Sequence, residues 1–148
     1  MLALTTRPLD QSDHEDWVRL WTDYLSFYKT TLPQEIYEST WRRLFTRGEF
    51  EPRGILAIAE GSIIGLVHYL YHRSCWSVAN NCYLQDLYTD PSMRGKGVGE
   101  ALIKVVRREA AKNGITNVNW MTHETNVTAR KLYDRVARKT GFMEYDLS

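Results

Sequence analysis

The stretch CYLQDLYTDPSMRGKGVGEAL, residues 82–102, constrains the fold of this chain more than any other. It opens with the apolar and aromatic positions of a strand and closes on the start of a helix. Between them, Arg94-Gly95-Lys96-Gly97-Val98-Gly99 sets three glycines at alternate positions. A strand that passes through so bare a turn into a helix sends the chain back over its own sheet. The next strand then lies parallel to the first, joined by a right-handed crossover. The missing side chains also let backbone N–H groups converge at the positive end of the helix dipole, which makes a seat for a phosphate or pyrophosphate. Two nucleotide motifs do not fit: a P-loop needs Ser or Thr after its lysine, where Gly97 follows Lys96, and a dinucleotide fingerprint needs G-x-G-x-x-G and a later acidic residue.

The rest of the chain reads as one domain over residues 1–148, without repeats, linkers or low-complexity tracts. A first helix is expected from Ser12, where S-D-H-E has the form of a capping box closed by Glu15. Trp17, Leu20, Trp21, Tyr24, Leu25 and Tyr28 follow at helical spacing. A second helix is expected from Pro33, with Ile36, Tyr37, Trp41, Leu44 and Phe45 on one face. From Gly54 the period shortens, and GILAIAEG and SIIGLVHYLYH read as two strands of a hairpin turning at Glu60-Gly61-Ser62. The strand at 82–89, a helix ending at Gly114, a strand at 117–122, a helix from Asn126 and a closing strand in GFMEYDL complete the order α-α-β-β-β-α-β-α-β. This is an α/β (α+β) fold with a mixed, mainly antiparallel sheet and a central β-α-β unit. Ligands in such sheets gather at the carboxyl ends of the parallel strands, where the glycines lie.

Composition narrows the function classes. At 148 residues and 43% apolar content the chain can bury a sizeable core. Its apolar runs are short and its N-terminus lacks a leader pattern, so a cytoplasmic protein with no membrane partner is expected. Cys75 and Cys82 lack metal or redox spacing and read as free thiols. The net charge is +1 but uneven: residues 1–90 hold 8 Lys/Arg against 12 Asp/Glu, and residues 91–148 hold 11 against 6. With no basic stripe interleaved with aromatics, no nucleic-acid partner is expected.

The segment Arg94 to Gly99 resembles the acyl-coenzyme A pyrophosphate motif of the GNAT superfamily of N-acetyltransferases. Asn126-Val-Thr-Ala-Arg-Lys-Leu-Tyr133, followed by Gly141-Phe142, resembles its second cofactor-contacting helix. With Trp76 upstream, residues 82–102 are similar to the diamine N-acetyltransferases and to small fungal enzymes that acetylate histones or D-amino acids. The resemblance implies a fold with splayed parallel strands and a metal-independent transfer of acetyl from acetyl-CoA to a primary amine by direct attack. It implies Arg94, Gly95, Lys96, Gly97, Val98 and Gly99 around the pyrophosphate, and the backbone of Leu87, Tyr88 and Thr89 along the pantetheine. It assigns Asn126 to the pantetheine or phosphates, Arg130 to the adenosine-side phosphates, and Tyr133 to protonation of the leaving thiolate.

Attack on a thioester needs an unprotonated nucleophile, yet only about one alkyl amine in 2,500 is neutral at pH 7. The position where the diamine enzymes carry a glutamate base is Gln85, which cannot accept a proton. Asp86 follows it, on the opposite face of a regular strand, and either attracts the ammonium group or acts through water. His68, His72 and His123 are further candidates for the base. The resemblance places the acceptor between the N-terminal helices and the splayed strands. There Trp21, Tyr24, Tyr28, Tyr37, Trp41 and Trp76 offer cation–π contacts, and Glu35, Glu38 and Asp86 offer negative charge. The same aromatics equally build a core. Where many relatives end in two strands, GFMEYDLS leaves room for one, so a homodimer covering the sheet edge is expected. Two other readings stay open: acetylation of a protein lysine or N-terminus, and a non-catalytic acyl-CoA sensor.

Overall fold

The computed structural model describes residues 3–148. Its sheet has five strands in the order β1 (Leu4–Pro8), β2 (Arg53–Ala59), β3 (Ser62–His72), β4 (Asn81–Thr89) and β5 (Val118–Asn119). All neighbours are antiparallel except β4 and β5, which are parallel. The helices are α1 (His14–Phe27), α2 (Gln34–Leu44), α3 (Val98–Lys112) and α4 (Val127–Val136). The β-α-β unit expected around the glycines is β4-α3-β5.

Two sheet elements differ from the expectation. A strand precedes the helices: β1 pairs along β2 from Leu4↔Ala59 to Pro8↔Ile55. Its sequence LTTRP carries one large apolar residue and ends in proline, which an edge strand tolerates because one side of its backbone needs no partner. At the other end, GFMEYDL forms no strand. Residues 137–148 carry no regular structure, and Phe142, Met143, Tyr145 and Leu147 are exposed. A strand needs a paired edge, and β5, only two residues long, offers too little of one.

The start of α1 also differs. Asp10 and Asp13, rather than Ser12 and Glu15, form the capping box, around a 3-10 turn at Gln11–Asp13. Asp13 is buried, and Arg7 of β1 grips its carboxylate with bonds of 2.7 and 2.8 Å. That grip, opposed by burial, holds its carboxyl below the usual range. The β2–β3 hairpin turns as expected, with Glu60 and Gly61 both at positive φ (52° and 77°).

Each face of the sheet has its own core. Trp17, Leu20, Trp21 and Leu25 of α1 pack with Leu56, Leu66 and Tyr88 on one face, with α2 contributing partly buried Tyr37, Trp41 and Leu44. On the other, Val98, Leu102, Val105 and Val106 of α3 pack with Val67, Tyr69, Tyr71, Cys82 and Leu84. Along β4, Cys82 and Leu84 therefore face α3, whereas Tyr88 faces α1. The parity changes at a β-bulge: Tyr69 pairs with Leu84 and His68 with Asp86, so Gln85 is the extra residue. Pairing between β4 and β5 is confined to Cys82↔Val118 and Tyr83↔Asn119 and stops just before that bulge.

Candidate active site

Because β4 runs on to Thr89 while β5 ends at Asn119, the two strands open into a V. A cleft of about 580 Å³ lies in this opening. Its walls are Tyr24, Phe27 and Tyr28 from α1, Leu87, Tyr88 and Thr89 from β4, and Met93, Arg94, Gly95 and Gly97 from the loop. Val98, Gly99 and Glu100 of α3 and residues 125–129, Leu132, Tyr133 and Arg135 on and before α4 complete it. The two motifs read from the sequence thus meet across one cavity.

The glycines serve two purposes. Gly95 and Gly97 sit at φ 75° and 85°, and an added Cβ would meet nothing within 4 Å. There it is the left-handed backbone that requires glycine, at a cost of about 1–2 kcal/mol for most other residues. Gly97 is the N-cap of α3, so the N–H groups of the first turn point outward beside it. At Gly99 the constraint is space, since a Cβ would lie 3.1 Å from Leu132 Cδ2 of α4. Arg94 donates from Nε to the Thr89 carbonyl at 3.1 Å, and its guanidinium lies 5.5 Å from the Phe27 ring centroid and 5.4 Å from that of Tyr88.

Tyr133 is half-buried, with its ring edge-on to Trp120 at 5.4 Å. Burial, with Tyr28 adding to it, pushes its pKa up to about 12. Asn126 stands at the N-cap of α4, but its side chain makes no cap bond and instead donates to Thr122 Oγ1 at 3.4 Å.

Asp86 lies behind this wall. It is 9% exposed, and its Oδ2 is 3.0 Å from His68 Nδ1. His68 is itself buried and accepts at Nε2 from the indole N–H of Trp17 at 2.9 Å. Tyr24 lines the cleft, and burial, with the Asp86 charge adding to it, raises its pKa strongly.

Several expected site residues stand apart. Gln85 is exposed on the bulge, where it has no cross-strand partner on β3. Trp76 is 92% exposed in the loop before β4, at the far end of that strand from the cleft. Glu35 is exposed in the first turn of α2. Lys96 and Arg130 do not line the cleft, and Arg130 is engaged with the Glu124 carbonyl at 2.7 Å. His72 bonds its neighbour's carbonyl and His123 bonds Thr125. Tyr24, named from the sequence among the aromatics on the acceptor side, lines the cleft, whereas the sequence reading passed over Arg135, which pairs with Glu100 at 2.9 Å and joins α4 to α3 at the rim. A lone basic residue in the last turn of a helix gives no signal of its own. Among the described residues, no three His, Cys, Asp or Glu side chains are grouped as a metal site.

Comparison with known families supplies the context for this cleft. Residues 14–137 match the acetyltransferase (GNAT) family. The chain belongs to the GNAT family of acetyltransferases. Among curated GNAT proteins it is similar to a D-amino-acid N-acetyltransferase of Saccharomyces cerevisiae, 36% identical over 144 residues, covering 96% of this chain and 89% of that one. It is also similar to a thialysine N-epsilon-acetyltransferase of Bos taurus, 32% identical over 71 residues and covering 48% of this chain and 41% of that one. An L-ornithine N5-acetyltransferase of Arabidopsis thaliana is 25% identical over 126 residues, covering 85% of this chain and half of that one. Among solved structures, a ribosomal-protein-alanine N-acetyltransferase of Brucella melitensis has the same fold with a TM-score of 0.82, at 20% identity and 99% coverage of both chains. The expected α/β fold and the expected acetyl transfer to a primary amine both stand.

Proposed function

We propose that the cleft binds acetyl-CoA and passes its acetyl group to the primary amine of a small acceptor, an amino acid or a cationic amine. The observation that carries this reading is the stretch of β4 beyond Tyr83, paired with β3 but left open on its β5 side, which leads to the left-handed Gly95–Gly97 turn and lines one cleft with Tyr133. The residues present fit such a ligand: a bare strand edge takes an extended amide chain as a further strand, and a glycine turn at a helix N-terminus takes a pyrophosphate. Acetyl-CoA supplies an activated acyl group as a thioester. Leu87, Tyr88 and Thr89 hold the pantetheine through their backbone, while Arg94 and the N–H groups from Gly95 to Gly99 hold the phosphates. Asn126 closes the opposite side. Tyr133, kept protonated by burial, donates its hydroxyl proton to the departing thiolate.

The acceptor class is supported by the relatives, whose names specify D-amino acids, thialysine and ornithine. Each is a primary amine. Incubating the protein with acetyl-CoA and D-amino acids, ornithine, thialysine, polyamines and basic peptides, with thiol release and product mass recorded, tests the reading. Thiol release dependent on a small amine is the expected result. Release with peptides alone, or with no amine, contradicts it.

We also infer a homodimer, because four apolar side chains in 142–147 are exposed and the outer edge of β5 is open. Sedimentation equilibrium at twice the 17.3 kDa chain mass supports this, and the single chain mass contradicts it.

A further inference from the structure

Arg94 lines the cleft with its charge unbalanced. Among the described residues its one side-chain hydrogen bond runs from Nε to the Thr89 carbonyl at 3.1 Å, and no carboxylate pairs with it. The acidic residue nearest to it in the chain, Asp90, is occupied elsewhere. Its Oδ1 accepts from the N–H and the hydroxyl of Ser92 at 3.0 and 2.8 Å, and its Oδ2 lies 3.5 Å from Arg19 Nη1. Glu100, the acidic residue of the cleft lining, is taken by Arg135 at 2.9 Å and Lys104 at 3.7 Å. Both terminal nitrogens of Arg94 therefore keep their N–H groups for an anion.

Two rings, rather than a counter-ion, flank the guanidinium. Its carbon lies 5.4 Å from the centroid of Tyr88 and 5.5 Å from that of Phe27, each within reach of a cation–π contact. Such a contact attracts a cation without neutralising it. The two rings differ in what else they do. Tyr88 is buried and belongs to the core under α1, whereas Phe27 is 49% exposed, ends α1 and stands outside both cores. The backbone that carries Phe27 is nevertheless tightly closed. Lys29 N–H donates to the Ser26 carbonyl and Thr30 N–H to that of Leu25, both at 2.9 Å, which is a Schellman motif with buried Leu25 as its anchor. Lys29 takes the left-handed position of that motif at φ 56°, where glycine is usual and a side chain is strained. A closed helix end fixes where the Phe27 ring stands.

Resting on the acetyl-CoA reading above, we propose that Phe27 is a positioning residue for the coenzyme. With Tyr88, it holds the Arg94 guanidinium ready to meet the diphosphate, so the last turn of α1 sets the affinity of the glycine loop. Without the Phe27 ring, Arg94 keeps one ring and one hydrogen bond. The rotamer freedom it regains must be given up again when the anion binds.

The test is a double-mutant cycle read by acetyl-CoA binding in isothermal titration calorimetry. It compares the wild type with Phe27→Leu, Arg94→Gln, the two combined, and Phe27→Tyr. Phe27→Leu keeps apolar bulk at a half-exposed site, so its melting temperature is expected near that of the wild type. It is expected to weaken acetyl-CoA binding by about 3–10-fold, and Arg94→Gln by about tenfold or more. In the Arg94→Gln background, Phe27→Leu is expected to cost almost nothing further, because the two side chains act as one unit. Phe27→Tyr keeps the ring face and is expected to bind as the wild type does. In turnover the Phe27→Leu loss appears in KM for acetyl-CoA with kcat unchanged. Wild-type affinity in Phe27→Leu, or an equal loss with and without Arg94, overturns the positioning role and leaves the coenzyme site standing. Failure of the wild type to bind acetyl-CoA overturns the underlying function and the positioning role with it.

Discussion

Tyr133 shows how one residue's surroundings select its chemistry. With its pKa raised to about 12, the hydroxyl remains protonated through the neutral range, as an acid for a thiolate requires. Replacement by phenylalanine keeps the ring against Trp120 and removes only the proton. We expect Tyr133→Phe to lower kcat by about 10²–10⁴-fold with acetyl-CoA affinity nearly unchanged, as read by steady-state rates and equilibrium binding. Equal loss of affinity and rate would instead make it a binding residue. At this scale the sequence was legible where chemistry is local: Gly95, Gly97 and Tyr133 stand where their motifs placed them. It was less so where exposure decides, because helical spacing puts Tyr24 and Tyr28 in one stripe with Trp17, Trp21 and Leu25. Only packing separates the cleft wall from the core. Trp76 and Glu35 lie outside the cleft lining, and nothing in a sequence shows which end of a strand a loop or helix residue lies beside.

At the scale of elements, the bulge in β4 is the device that builds the site. It falls just beyond the point where the parallel pairing to β5 stops, and it turns Asp86 toward His68 while leaving Leu84 on α3. Deleting Gln85 would restore a regular ladder with every flanking side chain on its present face. The deletion variant is therefore expected to fold, with a melting temperature close to wild type, and to lose acetyl-CoA affinity by about tenfold or more as β4 and β5 close together. Retained affinity in a folded deletion would show that the bulge does not open the cleft. Strand alternation cannot reveal a bulge, because an inserted residue looks like any other until its partner strand is known. The edge strand β1 escaped notice for a related reason: held by β2 on one side and by the Arg7–Asp13 pair at its end, it needs little apolar pattern of its own.

Across the whole molecule, the charge asymmetry and the fold agree. The acidic N-terminal portion supplies α1 and the groups packed beneath it, with Asp86, and the basic C-terminal portion supplies the glycine loop and α4. An anionic coenzyme and a cationic acceptor would then approach from opposite sides of the same V. The architecture was largely readable because β4-α3-β5 follows from one strand–glycine–helix run. The C-terminal segment was misread because its apolar residues lack a pairing edge within the described chain. The most direct test of the central claim, that the opening between β4 and β5 is the acetyl-CoA site, is an acetyl-CoA titration followed by backbone amide NMR. The account predicts that the largest shifts fall on residues 87–89, 95–99 and 126–129. Shifts concentrated elsewhere, with those three segments unmoved, would contradict it.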